Sequence, residues 1–182
     1  FLGLLIVPFL QKQLSVGFRA DRIEAFLNPA LDPTGAGFQV RQSLVALGSG
    51  GLTGVGIGVG RQKFGFLPEA HNDFIFAMIG EEWGLLGVIF LVALYMGIVL
   101  VGFRIASRAP DLFGELLALG FTNLIALHAL LHMSVGLSLV PPTGLALPLV
   151  SWGRSSLVVT LAAIGVIISV ARSAPGGKAA RA

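Results

Sequence analysis

The sequence predicts an all-α integral membrane protein, a multi-span helical bundle fragment with a long, partly re-entrant outer loop. Three observations predict it. The first is composition: 55% of the 182 residues are apolar and only 12% charged, with a mean hydropathy of +0.89, whereas soluble domains average roughly 45–50% apolar and about 25% charged. The second is the length of the uncharged runs, close to the roughly 20 residues that an α-helix needs to cross a bilayer. The third is the placement of basic residues, which stand singly at the ends of those runs and not in a stripe. The net charge of +3 therefore reads as a topology signal, and no nucleic acid is expected as a partner. The chain has no cysteine, which excludes a disulfide framework, a thiol nucleophile and a cysteine metal site.

The elements follow in order. Residues 1–10 are apolar but too short to cross a membrane, and they lack the basic region and cleavage site of a signal peptide. They read as the end of a truncated span, and the chain as the C-terminal part of one polytopic membrane domain. Residues 11–82 form the outer loop. The first full span is expected over 83–103, "WGLLGVIFLVALYMGIVLVGF", with Trp83 at an edge where indole favours the interface. Pro110 and Asp111 then supply a stop and a fresh start for a second span over 112–137, which carries Glu115, His128 and His132. A third span is expected over 155–170 and a cytoplasmic tail over 171–182, of which "SAPGGKAARA" (173–182) reads as disordered.

Arg104 and Arg108 stand on the same side as Arg172, Lys178 and Arg181 after two further crossings. Basic residues beside short loops mark the cytoplasmic face, so the C-terminus is expected inside, with 11–82 and the 136–154 connection outside. The basic residues of the long first loop do not count against this, because loops above about 60 residues escape the rule.

Within the outer loop, "GSGGLTGVGIGVG" (Gly48 to Gly60) permits positive φ and close backbone approach. Its spacing matches neither GxGxxG before a soluble helix nor GxxxxGK[ST], so tight packing against neighbouring helices is favoured over a phosphate cradle. A re-entrant element buried in protein would satisfy its backbone. Beyond it, "FLPEAHNDFIFAMIGEEW" gathers Glu69, His71, Asp73, Glu81 and Glu82. Ionisable groups at a membrane edge cost roughly 2.5–3.5 kcal/mol each on insertion scales, so a cluster points to a water-filled cavity. Asn72 or Asp73 also suits the cap of a helix beginning "FIFAMIG". Three chemistries can use such a cluster: a divalent metal, disfavoured because no HExxH pairing is present; a proton relay of a transporter; or a general base that takes a hydroxyl proton during attack on an electrophile. The residues alone do not choose among them.

Three ordered stretches carry a resemblance: "AFLNPALDPTGAGFQVRQSLVALGSGGLTGVGIG", "RQKFGFLPEAHNDFIFAMIGEEWGLLG" and "VPPTGLALPLVSWGRSS". They resemble the SEDS family of bacterial cell-wall synthesis, FtsW, RodA and SpoVE, and "GVGIGVGRQKFGFLPEAHNDF" leans toward the FtsW type. The resemblance implies about ten spans in a whole member, of which this chain matches the C-terminal part. It implies a peptidoglycan glycosyltransferase that polymerises lipid II on the outer face of the cytoplasmic membrane and releases undecaprenyl pyrophosphate from the growing glycan strand, in cell division or shape maintenance. Its implied partners are lipid II, the undecaprenyl-linked glycan, a class B penicillin-binding transpeptidase, and other division or elongation membrane proteins. The family's essential aspartate falls at Asp73, as general base for the acceptor sugar's 4-hydroxyl with inversion at the donor anomeric carbon.

A diphosphate leaving group calls for cations or N–H donors. Arg61 and Lys63 stand near the cluster, with Arg41 as a further candidate. Glu69 is a candidate to orient the acceptor or His71, and Gln42 and Ser43 to hydrogen-bond substrate, although packing is the commoner use of such a serine. Ser151, Ser155 and Ser156 suit the cap of the last span, and their family counterparts line the cavity. Here the sequence departs from the family's "SYGGSS": Trp152 replaces tyrosine and Arg154 a glycine, adding a phosphate contact or removing a flexible turn. His132 stands where relatives often have asparagine; with His128 it shares one helix face, where buried hydrogen bonding is favoured over chelation. No cofactor is required, and a divalent cation stays open. The rival classes are a lipid-linked precursor flippase or transporter and a non-catalytic division scaffold.

Overall fold

The computed structural model describes residue 26 and residues 35–60 and 73–174. They form four helices: α1 (Ala36–Gly50), α2 (Ile75–Ala106), α3 (Leu112–Gly136) and α4 (Arg154–Ser173), with no strand among the described residues. Three of them, α2, α3 and α4, are long and apolar enough to cross a membrane. Their outward faces carry exposed Leu86, Phe90, Leu100, Leu116, Leu127 and Val158, the surface that lipid requires. α2 packs chiefly on α3 and α3 on α4, while α1 lies against the start of α2. The short α2–α3 and longer α3–α4 connections make the three alternate in direction. Arg104, Arg108 and Arg172, all exposed, therefore gather at one end of the bundle, and α1 with residues 137–153 lies at the other.

The core runs down the three-helix seam. Near the α1 end, Phe76, Leu91, Tyr95, Ala129, Met133 and Leu147 pack together; further along, Ile125, Ala163 and Ile167 join α3 to α4; at the arginine end Ala106, Ala118 and Val170 close the seam. Small residues set the spacing. A side chain at Gly102 would collide with Thr122 on α3, so glycine there lets α2 and α3 approach.

The loop expected over 11–82 is not irregular throughout. "AGFQVRQSLVALGSG" forms α1, with Val40, Ser43 and Ala46 buried on one face, three residues apart as a helix face requires. α2 also starts earlier than the expected span. It is not one continuous rod: Gly84 sits at φ 66°, ψ −162°, breaking it between Trp83 and Leu85. The break strands carbonyls on one side and N–H groups on the other, which must find partners away from water. The glycine-rich turn after α1 supplies them. Val55 and Gly56 N–H donate to the Glu81 and Glu82 carbonyls (3.0 and 3.1 Å), and the Leu85 and Leu86 N–H groups donate to the Gly51 and Leu52 carbonyls (2.9 and 3.2 Å). Close packing, and not a phosphate cradle, is what these glycines serve: a Cβ at Gly50 would strike the Gly80 carbonyl, and one at Gly54 the Glu82 carbonyl.

At the far end of α3 the chain turns back by a Schellman arrangement. Ser138 N–H donates to the Val135 carbonyl (2.9 Å) and Leu139 N–H to the Ser134 carbonyl (2.8 Å), with Ser138 at φ 56° where glycine is the usual occupant. The connection then runs inward. Leu147 and Pro148 are buried, and the Tyr95 hydroxyl, midway along the α2 stretch from Leu85 to Ala106, donates to the Pro148 carbonyl. Residues 147–151 close a turn in which Ser151 N–H donates to the Leu147 carbonyl (3.0 Å) and Ser151 Oγ accepts from Leu147 N–H (2.8 Å). Among the described residues, irregular backbone reaches mid-helix level in this second connection. Its three prolines forbid a helix, and three of its backbone groups find partners, the Pro148 carbonyl in Tyr95, the Leu147 amide in Ser151 and the Leu145 carbonyl in His132, as backbone at that depth demands.

Candidate functional site

Asp73 stands two residues before α2. The cap position of that helix falls at Phe74, which is buried and makes no side-chain capping bond, so Asp73 does not occupy it; Asn72 lies outside the described residues. The Asp73 carboxylate instead faces the second connection: its Oδ2 lies 3.7 Å from where a Cβ on Gly144 would stand. Gly144 is at φ 71°, a conformation that keeps the backbone bare beside the carboxylate at low cost only for glycine. The next residue, Leu145, accepts a hydrogen bond through its carbonyl from His132 Nδ1 (2.7 Å). His132 is buried.

Gly144, Leu145 and Ala146 also form one wall of a cavity of about 370 Å³. Leu124, Ile125 and His128 of α3 and Ser155, Ser156, Val159, Thr160 and Ala163 of α4 complete it. α4 starts at this wall. Its cap position is Gly153, without a side-chain capping bond; a Cβ there would stand 3.0 Å from the Ala146 Cβ, so glycine lets the helix start close against the connection. None of Ser151, Ser155 and Ser156 occupies the cap. Thr160 Oγ1 donates to the Ser156 carbonyl (2.8 Å). The opening turn of a helix carries unpaired N–H groups and the positive end of its dipole, which favours anions. The residue Gly144 thus touches both a carboxylate suited to proton abstraction and a cavity whose far wall is the electropositive start of α4, with Arg154 exposed at its first position.

The other expected site residues divide into three groups. Arg61, Lys63, Glu69 and His71 lie outside the described residues. Ser43 is fully buried and donates to the Gly136 carbonyl (2.8 Å), tying α1 to the end of α3, and Ser151 is committed to the 147–151 turn. Gln42 is half-buried and Arg41 exposed on α1. Glu81 is buried beside Gly60, and its neighbour Glu82 is half-buried. His128 lines the cavity while His132 Nδ1 bonds a carbonyl; among the described residues no three His, Asp or Glu side chains gather as a metal site. Sequence reasoning passed over Tyr95 and Thr160. The signal for Tyr95 was available: it is the chain's single tyrosine, set in an apolar run where a buried hydroxyl needs a partner.

The family model described as "Cell cycle protein", FtsW/RodA/SpoVE, matches residues 1–175. Among curated relatives, a probable peptidoglycan glycosyltransferase FtsW of Geobacter metallireducens is 48% identical over 173 residues, covering 94% of this chain and 46% of the relative. Stage V sporulation protein E of Bacillus subtilis is 45% identical over 173 residues, covering 94% and 47%. The chain spans about half the length of the curated relatives it matches. Of solved structures, an aspartate-to-alanine mutant of Thermus thermophilus rod shape determining protein RodA aligns with a TM-score of 0.57 at 34% identity, over 74% of this chain and 41% of that one. A chain from a structure described as "structural coordination of polymerization and crosslinking by a peptidoglycan synthase complex" aligns with a TM-score of 0.66 at 29% identity, over 96% and 48%.

Proposed function

Because this chain belongs to the FtsW/RodA/SpoVE family, also called SEDS, we propose that it contributes the later spans of a peptidoglycan glycosyltransferase that polymerises lipid II at the outer face of the cytoplasmic membrane. The observation that supports the reading is the placement of Asp73 beside Gly144, a residue that in turn lines the cavity between α3 and α4. In the reaction, the Asp73 carboxylate takes the proton of the acceptor sugar's 4-hydroxyl as that oxygen attacks the donor's anomeric carbon. The bond from that carbon to the diphosphate breaks, its electron pair leaves on undecaprenyl diphosphate, and the configuration inverts. General-base assistance of this kind contributes typically about 10²–10⁴-fold.

The diphosphate gains negative charge as it leaves, and preorganised donors that meet it lower the barrier. Ser155, Ser156 and Arg154 at the start of α4 are assigned this part, with Arg61 and Lys63 as further cations and Glu69, His71 and Gln42 as further substrate contacts. Arginine suits bidentate contact with phosphate oxygens, lysine a point charge. The orientation that serves this chemistry puts the α1 end outside and Arg104, Arg108 and Arg172 in the cytoplasm, in keeping with the preference of basic residues for that face. A class B penicillin-binding transpeptidase is the partner assigned, by analogy with the complex that couples polymerisation to crosslinking.

The test uses the full-length protein with its transpeptidase partner and purified lipid II. Wild type is expected to form glycan strands, and Asp73→Ala to form none while eluting and melting as a folded protein. Strand formation at the wild-type rate by Asp73→Ala would end the base assignment. Transbilayer movement of lipid II without any polymer would favour a flippase, and growth supported by Asp73→Ala a scaffold.

A further inference from the structure

His132 has no part in the reaction just described, yet it is 1% exposed in the middle of the site. Its two ring nitrogens are not equivalent. Nδ1 faces the Leu145 carbonyl at 2.7 Å; a carbonyl only accepts, so Nδ1 carries the proton and the ring is in its Nδ1–H form. Nε2 is then a bare acceptor, and it is buried with no hydrogen bond from the described residues. Leu145 follows Gly144, whose backbone abuts Asp73 Oδ2. The dipeptide Gly144–Leu145 is therefore held by the imidazole at the Leu145 carbonyl and stands beside the carboxylate at Gly144. Beyond it the connection is tied again where Leu147 N–H meets Ser151 Oγ and Tyr95 holds Pro148, while Gly144 at φ 71° occupies backbone space that offers little stiffness of its own.

We infer that His132 is a positioning residue for the Asp73 site: through Nδ1–H and the Leu145 carbonyl it fixes how far Gly144, and with it the cavity wall, stands from the carboxylate. The inference rests on the reading of Asp73 as the base. A displacement of about 1 Å at a reacting group is enough to cost about 10²-fold in rate, so a single well-placed strut has leverage on turnover without touching substrate. The role depends on Nδ1 and not on Nε2. Asparagine places its amide nitrogen near the position of Nδ1, whereas glutamine carries its amide one bond further out, near Nε2, and leucine has no donor.

The experiment measures lipid II polymerisation by the full-length protein with its partner for His132→Asn, His132→Gln, His132→Leu and Asp73→Ala, alongside hydrogen–deuterium exchange of the peptide covering residues 141–149. The expected result is a kcat at least tenfold lower for His132→Gln and His132→Leu, with KM within threefold of wild type, faster exchange in 141–149 in both, and rescue of both readouts by His132→Asn. Wild-type kcat and wild-type exchange in His132→Leu would overturn the inference, as would an equal loss in all three His132 variants, which would point to Nε2 or to the ring itself. If Asp73→Ala is inactive while His132→Leu turns over normally, the strut fails and the base assignment stands. If Asp73→Ala polymerises, the base assignment fails, and exchange in 141–149 still reports whether His132 holds the connection.

Discussion

Replacing Gly54 by alanine separates the docking of the glycine-rich turn from the intrinsic strain of its backbone. Gly54 is at φ 81°, and a Cβ there would collide with the Glu82 carbonyl and stand 2.7 Å from the Trp83 carbonyl carbon, both backbone atoms that cannot rotate away. The turn must back off, and four hydrogen bonds across the α2 break go with it: Val55 to Glu81, Gly56 to Glu82, Leu85 to Gly51 and Leu86 to Leu52. At about 0.5–1.5 kcal/mol net for each bond they sum to about 2–6 kcal/mol. The left-handed conformation adds about 1–2 kcal/mol for a residue with a Cβ. Gly54→Ala is thus expected to cost at least about 3 kcal/mol. Two neighbours calibrate it. Gly51, at φ 55° with nothing within 4 Å of where a Cβ would stand, carries the strain alone, so Gly51→Ala costs about 1–2 kcal/mol. Gly48, helical and also open, gains from the same change by about 0.5–1 kcal/mol. Thermal melting of the full-length protein in detergent should rank Gly48→Ala highest, then wild type, Gly51→Ala and Gly54→Ala. Equal melting of the Gly51 and Gly54 variants would show that the turn contributes strain and no docking, and would refute the reasoning.

Tyr95→Phe removes the hydroxyl that meets the Pro148 carbonyl and is expected to lower stability by about 1–3 kcal/mol, the cost of an unmet buried acceptor, read by the same melting assay. Gly102→Ala drives a methyl into Thr122 and should cost about 1–3 kcal/mol as overpacking does. Because Thr122 Oγ1 has no hydrogen-bond partner among the described residues, the double variant Gly102→Ala/Thr122→Ala should recover part of that loss, and a double-mutant cycle with no coupling would count against the contact. Ser43→Ala unties α1 from the Gly136 carbonyl; a loss of about 1 kcal/mol and faster amide exchange in Ala36–Gly50 are the expected readouts.

The long helices are the part of the fold that composition makes legible, because a span needs only length and apolarity. α3 runs over Leu112–Gly136, against an expectation of 112–137, and Pro110 and Asp111 mark its start in the sequence as they do in the structure. α1 escaped notice because a helix of 15 residues wedged among glycines has neither the length of a span nor a strong two-faced pattern. The break at Gly84 lay inside a run that reads as continuous apolar sequence; its cause, a turn some thirty residues upstream that supplies the missing hydrogen bonds, is a tertiary fact that no local pattern carries. The site shows the same division. Asp73 stood out by its unusual company of charges, while Gly144 beside it and the following Leu145 are ordinary residues that matter through where their backbone lies. Ser43 and Ser151, chemically suited to substrate, are held by the Gly136 carbonyl and the Leu147 amide, and only the folded chain shows which hydroxyls are already engaged.

The interruption at Gly84 also reconciles α2 with the thickness of its solvent. Unbroken, its 32 residues would make a rod of about 48 Å, far longer than a hydrocarbon slab of about 30 Å, and the surplus would have to be absorbed by tilting or by deforming the bilayer. From Leu85 to Ala106 the rod is about 33 Å long, a near match. The residues before the break take a direction of their own, so the end that carries Asp73 can be aimed without tipping the helix that anchors it.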